Sequence, residues 1–372
     1  MKSYRLFSFI ILIALCIQGF TNDGVFYSQG GNLYPKKETT IQLKREVLIF
    51  TYLDTAVRVE ILFEFYNPGE AKTETVGFVT PPSSGDMPYR DDGLVDGEFK
   101  HPQIFDFYAI VNDIMQPWKV FKAKESGFRT DSEGEFYNEY VYYFDAEFQK
   151  GTNIIQHSYI YKGSSSVEYK NEFFYRLTTG KMWANGQIDD FELLINIPGQ
   201  GIYVPWSFQK SMEPAKWDVV GIGRLHDELT DFMGDTVRMG YLQSGMLRFH
   251  AMNFKPDFDL HFGMMNFFNM LAFEANDLLS EVDAHLTLSP YYYGYEKSEL
   301  NDLSDFELMF LRNYIFAQHG YEFRNEELIA IFSMFSWYYP QAWKNDEIDK
   351  EFSKEEMQLI NDILEIEKSR GQ

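Results

Sequence analysis

The sequence predicts a chain in two parts. The first is a mostly β N-terminal region built as an antiparallel sandwich or sandwiches. The second is a small all-α C-terminal domain of three helices. Three observations carry this. Val57, Val59, Ile61, Phe63 and Phe65 alternate with Arg58, Glu60, Leu62, Glu64 and Tyr66, a period of two that gives a strand one buried face. Turn residues separate similar segments as far as about residue 268. Beyond residue 291, apolar residues recur at helical spacing behind capping signals.

The first segment reads as an export leader. Lys2 and Arg5 precede an apolar run, Leu6 to Ile17, broken only by Ser8, and small Gly19 suits the residue before cleavage. The run is shorter than a transmembrane span, and no later stretch is apolar for long enough to be one. Residues 1–19 are therefore expected to be a signal peptide, 20–290 the β-rich region, as one domain or two, and 291–372 the helical domain. The protein is expected in the periplasm, on the cell surface or outside the cell. Cys16 is the only cysteine. Leu15 stands where a lipoprotein signal wants a small residue, which argues against lipid anchoring at Cys16. Cleavage after Gly19 leaves no cysteine for a disulfide, a thiol nucleophile or a thiolate metal site.

Within the β-rich region, Asn67-Pro68-Gly69 ends the alternating strand. Further strands are expected at Phe105–Val111, Tyr137–Phe148, Ile154–Tyr161, Glu172–Leu177, Phe191–Ile197 and Met246–Asn253. Lys210 to Thr236, with Pro214 and three glycines, reads as a long connection or small insertion. In the C-terminal part, Ser304 with Glu307 and Ser353 with Glu356 are capping boxes. Asn325 can cap a short helix between them, and Gly320 suits a left-handed helix stop.

Composition narrows function by exclusion. A formal charge of −23 repels nucleic-acid phosphates, so no nucleic acid is expected as a partner. Residues 291–372 carry 17 acidic against 8 basic residues, a balance of −9 that disfavours anionic wall polymers. Aromatics reach 18%, which suits strand-rich cores and, as the sharper alternative, stacking platforms for sugars. The chain has no G-x-S-x-G elbow, P-loop or H-E-x-x-H, and no two histidines share a predicted helix face. No catalytic, cofactor or metal residues are assigned, and no cofactor is expected. Asp91-Asp92 and Asp189-Asp190 read as solvated turns. His101, His157, His250 and His261 read as lone structural histidines.

Two clusters are candidate ligand sites. One is Trp183-Ala-Asn-Gly-Gln-Ile-Asp-Asp190, where Trp183, Asn185, Asp189 and Asp190 mix an aromatic with amide and acid groups. The other is His319, Tyr321, Trp337 and Tyr338, which either line one aromatic pocket or pack around a helix stop.

The second cluster resembles the YARHG domain, named for its core motif. Asn313, Ala317, His319, Gly320, Trp337 and Tyr338 match, whereas Phe316 and Gln318 stand where that motif has Tyr and Arg. The resemblance spans about residues 291–372 and implies an exported bacterial protein of the cell envelope. Most of 21–288 resembles a family of uncharacterised exported proteins. The shared blocks include Phe63-Glu-Phe-Tyr-Asn-Pro-Gly69, His101-Pro102 and Ile188-Asp-Asp-Phe191; the family brings no activity. The expected function is non-enzymatic binding or structure, with a cell-wall glycan, peptide or envelope protein as partner. The alternative is a hydrolase of wall or polysaccharide working through a long-range carboxylate pair.

Overall fold

The computed structural model describes residues 34–35, 39–54, 56–79, 94–95, 98–99, 104–122, 140–163, 169–227, 229–232, 234–265, 270–271, 274 and 284–371. The leader with Cys16 and Gly19, the Asp91-Asp92 pair and His101 lie outside the described residues.

The early strands are β1 (Tyr34–Pro35), β2 (Gln42–Tyr52), β3 (Val57–Asn67), β4 (Lys72–Val79), β5 (Leu94–Val95) and β6 (Glu98–Phe99). Next come β7 (Ile104–Val111), β8 (Ile114–Met115), β9 (Lys119–Lys122), β10 (Tyr140–Phe148), β11 (Gly151–Tyr161) and β12 (Tyr169–Tyr175). The last six are β13 (Ile188–Asn196), β14 (Gln200–Pro205), β15 (Trp217–Leu225), β16 (Thr230–Phe232), β17 (Asp235–Phe254) and β18 (Leu260–Met265).

A twelve-stranded sheet runs β12-β18-β14-β17-β13-β2-β3-β11-β7-β8, with β15 and β16 also paired to β17. A second sheet runs β1-β4-β10-β9. Their inner faces share one core. Phe65 of β3 meets Phe148 of β10 at 5.5 Å, and Phe78 of β4 lies 5.3 Å from Tyr159 of β11. The alternation in β3 is as read: Val57, Val59, Ile61, Phe63 and Phe65 are buried, while Arg58 and Glu60 are exposed.

Among the described residues the pairing is antiparallel with one exception. β13 lies parallel to β2, with Asp190 opposite Arg45 and Leu193 opposite Leu48. A parallel pair needs a long crossover, and here all the chain from residue 53 to 187 supplies it. Charges mark this seam. Lys44 pairs with Asp189 at 2.6 Å, and Arg45 approaches Asp190 at 3.5 Å and Glu192 at 3.4 Å.

Lys210 to Thr236 is not simply a connection, because it contains β15 and β16. β15 escapes a periodicity reading because most of its residues stay open to solvent on both sides. It pairs antiparallel with β17, and two glycines face each other in the register, Gly221 opposite Gly245. A Cβ on Gly221 would lie 2.3 Å from the Ser244 carbonyl oxygen, and one on Gly245 2.1 Å from that of Val220. Only glycine permits that approach, and φ at Gly245 is +89°.

The helical part holds α1 (Ala284–Tyr293), α2 (Asp305–Gln318), α3 (Glu326–Ser333) and α4 (Lys354–Arg370). The last three are those the sequence predicts. Both capping boxes form, and the Asn325 side chain accepts from the amides of Glu327 and Leu328. α1 contains Pro290, which hides it from a sequence reading. Among the described residues, no helix is long and apolar enough to cross a membrane.

The helices do not stand clear of the sheet. Tyr203 of β14, Val237 and Met239 of β17, and Met265 of β18 share a core with Leu308, Phe310, Leu311, Tyr314 and Phe332. Polar contacts fasten the same junction. Arg224 of β15 donates to the carbonyls of Ser333 and Met334, at 2.9 and 3.0 Å, where α3 ends. A cation there satisfies free carbonyls and opposes the helix dipole. Beside it, buried Glu274 accepts from the Ser336 amide at 3.1 Å and meets His226 Nε2 at 2.7 Å.

Candidate functional site

The Trp183–Asp190 block is divided between core and seam. The Trp183 ring is buried, 4.3 Å from the Phe65 centroid and 6.3 Å from that of Phe148. Asn185 clips onto β2: its Nδ2 donates to the Leu43 carbonyl at 2.8 Å, and its Oδ1 accepts the Leu43 amide at 3.1 Å. Asp189 accepts from Lys44, Gln187 and Asn185. Burial works to raise the Asp189 pKa, but these hydrogen bonds and the lysine charge outweigh it and hold the carboxyl below its usual range. Asp190 pairs with His250 at 2.8 Å. Trp183 faces the core, and the polar three bind neighbouring strands.

In the second cluster Tyr321, Trp337 and Tyr338 pack together, and His319 turns aside. α2 ends at Gln318, His319 is its C-cap, and Gly320 follows at φ +79°. Gly320 is buried, and a Cβ there would come 3.2 Å from the Tyr339 carbonyl oxygen and 3.2 Å from Gln341 Nε2. Gly320→Ala is therefore expected to destabilise the protein by about 1–2 kcal/mol, from left-handed strain plus crowding. Equilibrium urea unfolding checks this, and an unchanged midpoint would refute the helix-stop account.

Trp337 is buried, 5.3 Å from Tyr314 and 5.3 Å from Phe335. Tyr338 donates its hydroxyl to the Tyr321 carbonyl at 2.7 Å. Tyr321 packs on Phe316 at 5.5 Å and on Phe323 at 5.2 Å. Phe316, which replaces the motif tyrosine, sits edge-on to Phe352 at 4.9 Å. His319 turns the other way: its Nε2 is 2.9 Å from Glu356 Oε1 on α4.

An open groove of about 920 Å³ lies on the far side of Glu356, between the end of α1 with its following turn and the first half of α4. Its walls include Tyr291, Tyr292, Tyr295, Glu356, Gln358 and Asp362. Two of the lining carboxylates, Glu356 and Asp362, are already engaged. Glu356 accepts the Tyr291 hydroxyl at 3.1 Å, and its other oxygen accepts the Ser353 amide at 2.7 Å. Asp362 accepts the Tyr295 hydroxyl at 2.8 Å and Gln358 Nε2 at 3.0 Å, and its other oxygen meets Lys297 Nζ at 2.8 Å.

These contacts set the protonation of the walls. Burial would raise the Glu356 pKa, but His319 and the Ser353 amide prevail and lower it. Hydrogen bonds from Gln358 and Lys297 lower that of Asp362. Burial, with the Asp362 charge beside it, pushes the Tyr295 phenol up to about 12. The groove therefore presents ionised carboxylates held by neutral phenols.

The remaining histidines stay apart. His157 lies in the β-core between Phe63 and Phe78. His261 is stacked on Phe174 at 4.2 Å and held between two acids, with Nε2 2.7 Å from Glu172 and Nδ1 on Asp235. No metal-ligating cluster occurs among the described residues. The sequence reading did not single out the groove residues as a site. Its available signals were the tyrosine run 291–295 and the carboxylate of the second capping box.

Residues 287–368 match the family model of the YARHG domain. No curated protein matches the chain. Among solved structures, the chain is similar to a Legionella pneumophila protein described as a "putative nutrient binding protein". The two are 20% identical with a TM-score of 0.49, over 91% of this chain and 98% of that one.

Proposed function

We propose that this is an exported, non-enzymatic binding protein of the cell envelope or extracellular space, and that the groove beside α4 takes a neutral, hydroxyl-rich ligand such as a wall glycan. One observation carries the reading: a groove of about 920 Å³ walled by three tyrosines whose polar neighbours are already paired. Tyr291 and Tyr295 donate their hydroxyls to carboxylates, so the phenol oxygens remain acceptors for a ligand hydroxyl. Their ring surfaces supply the apolar contact that sugars use. The engaged carboxylates of Glu356 and Asp362 offer little to a cation, and the −9 balance of residues 291–372 opposes an anion. Export rests on the leader-like N-terminus and on the YARHG match.

The hydrolase alternative needs one carboxyl held protonated as the acid. Glu356 and Asp362 share the groove, but both pKa values are lowered, which works against that role. Calorimetry with N-acetylglucosamine oligomers, beside pull-down on purified peptidoglycan, tests the proposal. Binding is expected to weaken about tenfold in Tyr295→Ala, equivalent to about 1.4 kcal/mol. Absence of binding to both materials at low and moderate salt would sink the reading, as would an unaffected Tyr295→Ala.

A further inference from the structure

The motif histidine stands behind the groove wall and not in it. His319 reaches Glu356 from the α2 side, while Tyr291 reaches the same Oε1 from the groove side. The remaining oxygen of Glu356 is fixed by the Ser353 amide, and the Glu356 amide in turn donates to Ser353 Oγ at 3.1 Å. An ionised carboxylate only accepts, so Nε2 of His319 is the protonated nitrogen. Glu356 is thus held from three directions, and its Oε1 sets where the Tyr291 hydroxyl must point.

The geometry points to His319 as a positioning residue: it orients Glu356, and through Glu356 it fixes the Tyr291 hydroxyl at the groove wall. This deepens the glycan reading, on which only its functional consequence rests. The motif is then joined to the groove by a chain of two hydrogen bonds, without His319 touching a ligand. The rival account is that His319 only closes α2 and packs its ring against Phe352, at 5.1 Å and nearly edge-on.

Two substitutions separate the accounts. His319→Phe keeps a ring beside Phe352 and removes the donor. His319→Gln removes the ring and keeps an N–H that can reach Glu356. The readout is the fluorine NMR resonance of 3-fluorotyrosine placed at position 291 of the full chain, with no ligand, alongside thermal melts. The resonance is expected to move by more than its linewidth in His319→Phe and to stay in place in His319→Gln, with both variants folded at the measuring temperature. If it stays in place in His319→Phe, or moves as far in His319→Gln, the positioning role is overturned. If either variant fails to fold, His319→Leu, which removes the donor and leaves Glu356 unchanged, takes its place: movement of the resonance upholds the role and constancy overturns it. Because the readout needs no ligand, failure of glycan binding leaves this result standing on its own.

Discussion

Trp183→Ala is expected to cost about 3–5 kcal/mol, the usual range for emptying a large buried aromatic site. The ring sits where the two sheets meet, against Phe65 of β3 and Phe148 of β10, and only 2% of the residue is exposed. Its neighbours belong to paired strands, so they cannot collapse into the void without breaking ladders. Urea unfolding monitored by circular dichroism measures the loss, and Trp183→Phe should lose clearly less. A cost below about 1 kcal/mol in Trp183→Ala would contradict a core role and return Trp183 to the list of ligand contacts.

Stability is expected to fall as pH rises from about 6.5 to about 9, with His261 as the cause. Burial works to lower the His261 pKa, but hydrogen bonds to Asp235 and Glu172 and their charges raise it from 6.5 to about 9. A folded value above the unfolded one means the contribution is fully present below about 6.5 and is lost as pH climbs through 9. At about 1.36 kcal/mol per pH unit, the whole contribution is up to about 3 kcal/mol. Chemical denaturation across pH 6 to 10 reads the slope, and His261→Gln should flatten it. An equal slope in that variant would assign the effect to other groups.

The legible parts of this fold are those with local causes. β3 is visible because one side faces the core and the other faces water, so every second residue reports burial. The capping boxes at Ser304 and Ser353 are visible because cap and partner lie three residues apart. β15 and the first half of β17 are hidden, since their burial follows no sustained period. α1 is hidden because its proline and tyrosine run argue for a turn, while packing against α2 and α4 holds it helical. The groove was partly visible. The tyrosine run stands out by composition, and Glu356 stands out as a capping residue. Their meeting joins residues 65 positions apart, which no local pattern encodes. The Trp183 block attracted notice for its polarity, yet its amide and acids are turned toward β2 and β17, where they hold strands together.

The parallel seam between β2 and β13 has a kinetic consequence. During synthesis β2 emerges early and can pair at once with β3, but its other edge waits for residues 188 to 196. Throughout that delay it presents open backbone donors and acceptors, the kind of template on which chains aggregate. Lys44 and Arg45 lie at one end of that waiting edge, and charge on an unpaired strand discourages self-association. When Asp189 and Asp190 arrive, the same charges favour one alignment over its neighbours, since a slip of one residue would turn Leu193 away from the core. The ion pairs at the seam thus act twice over time: first as a guard against premature partners, then as a key for the correct one.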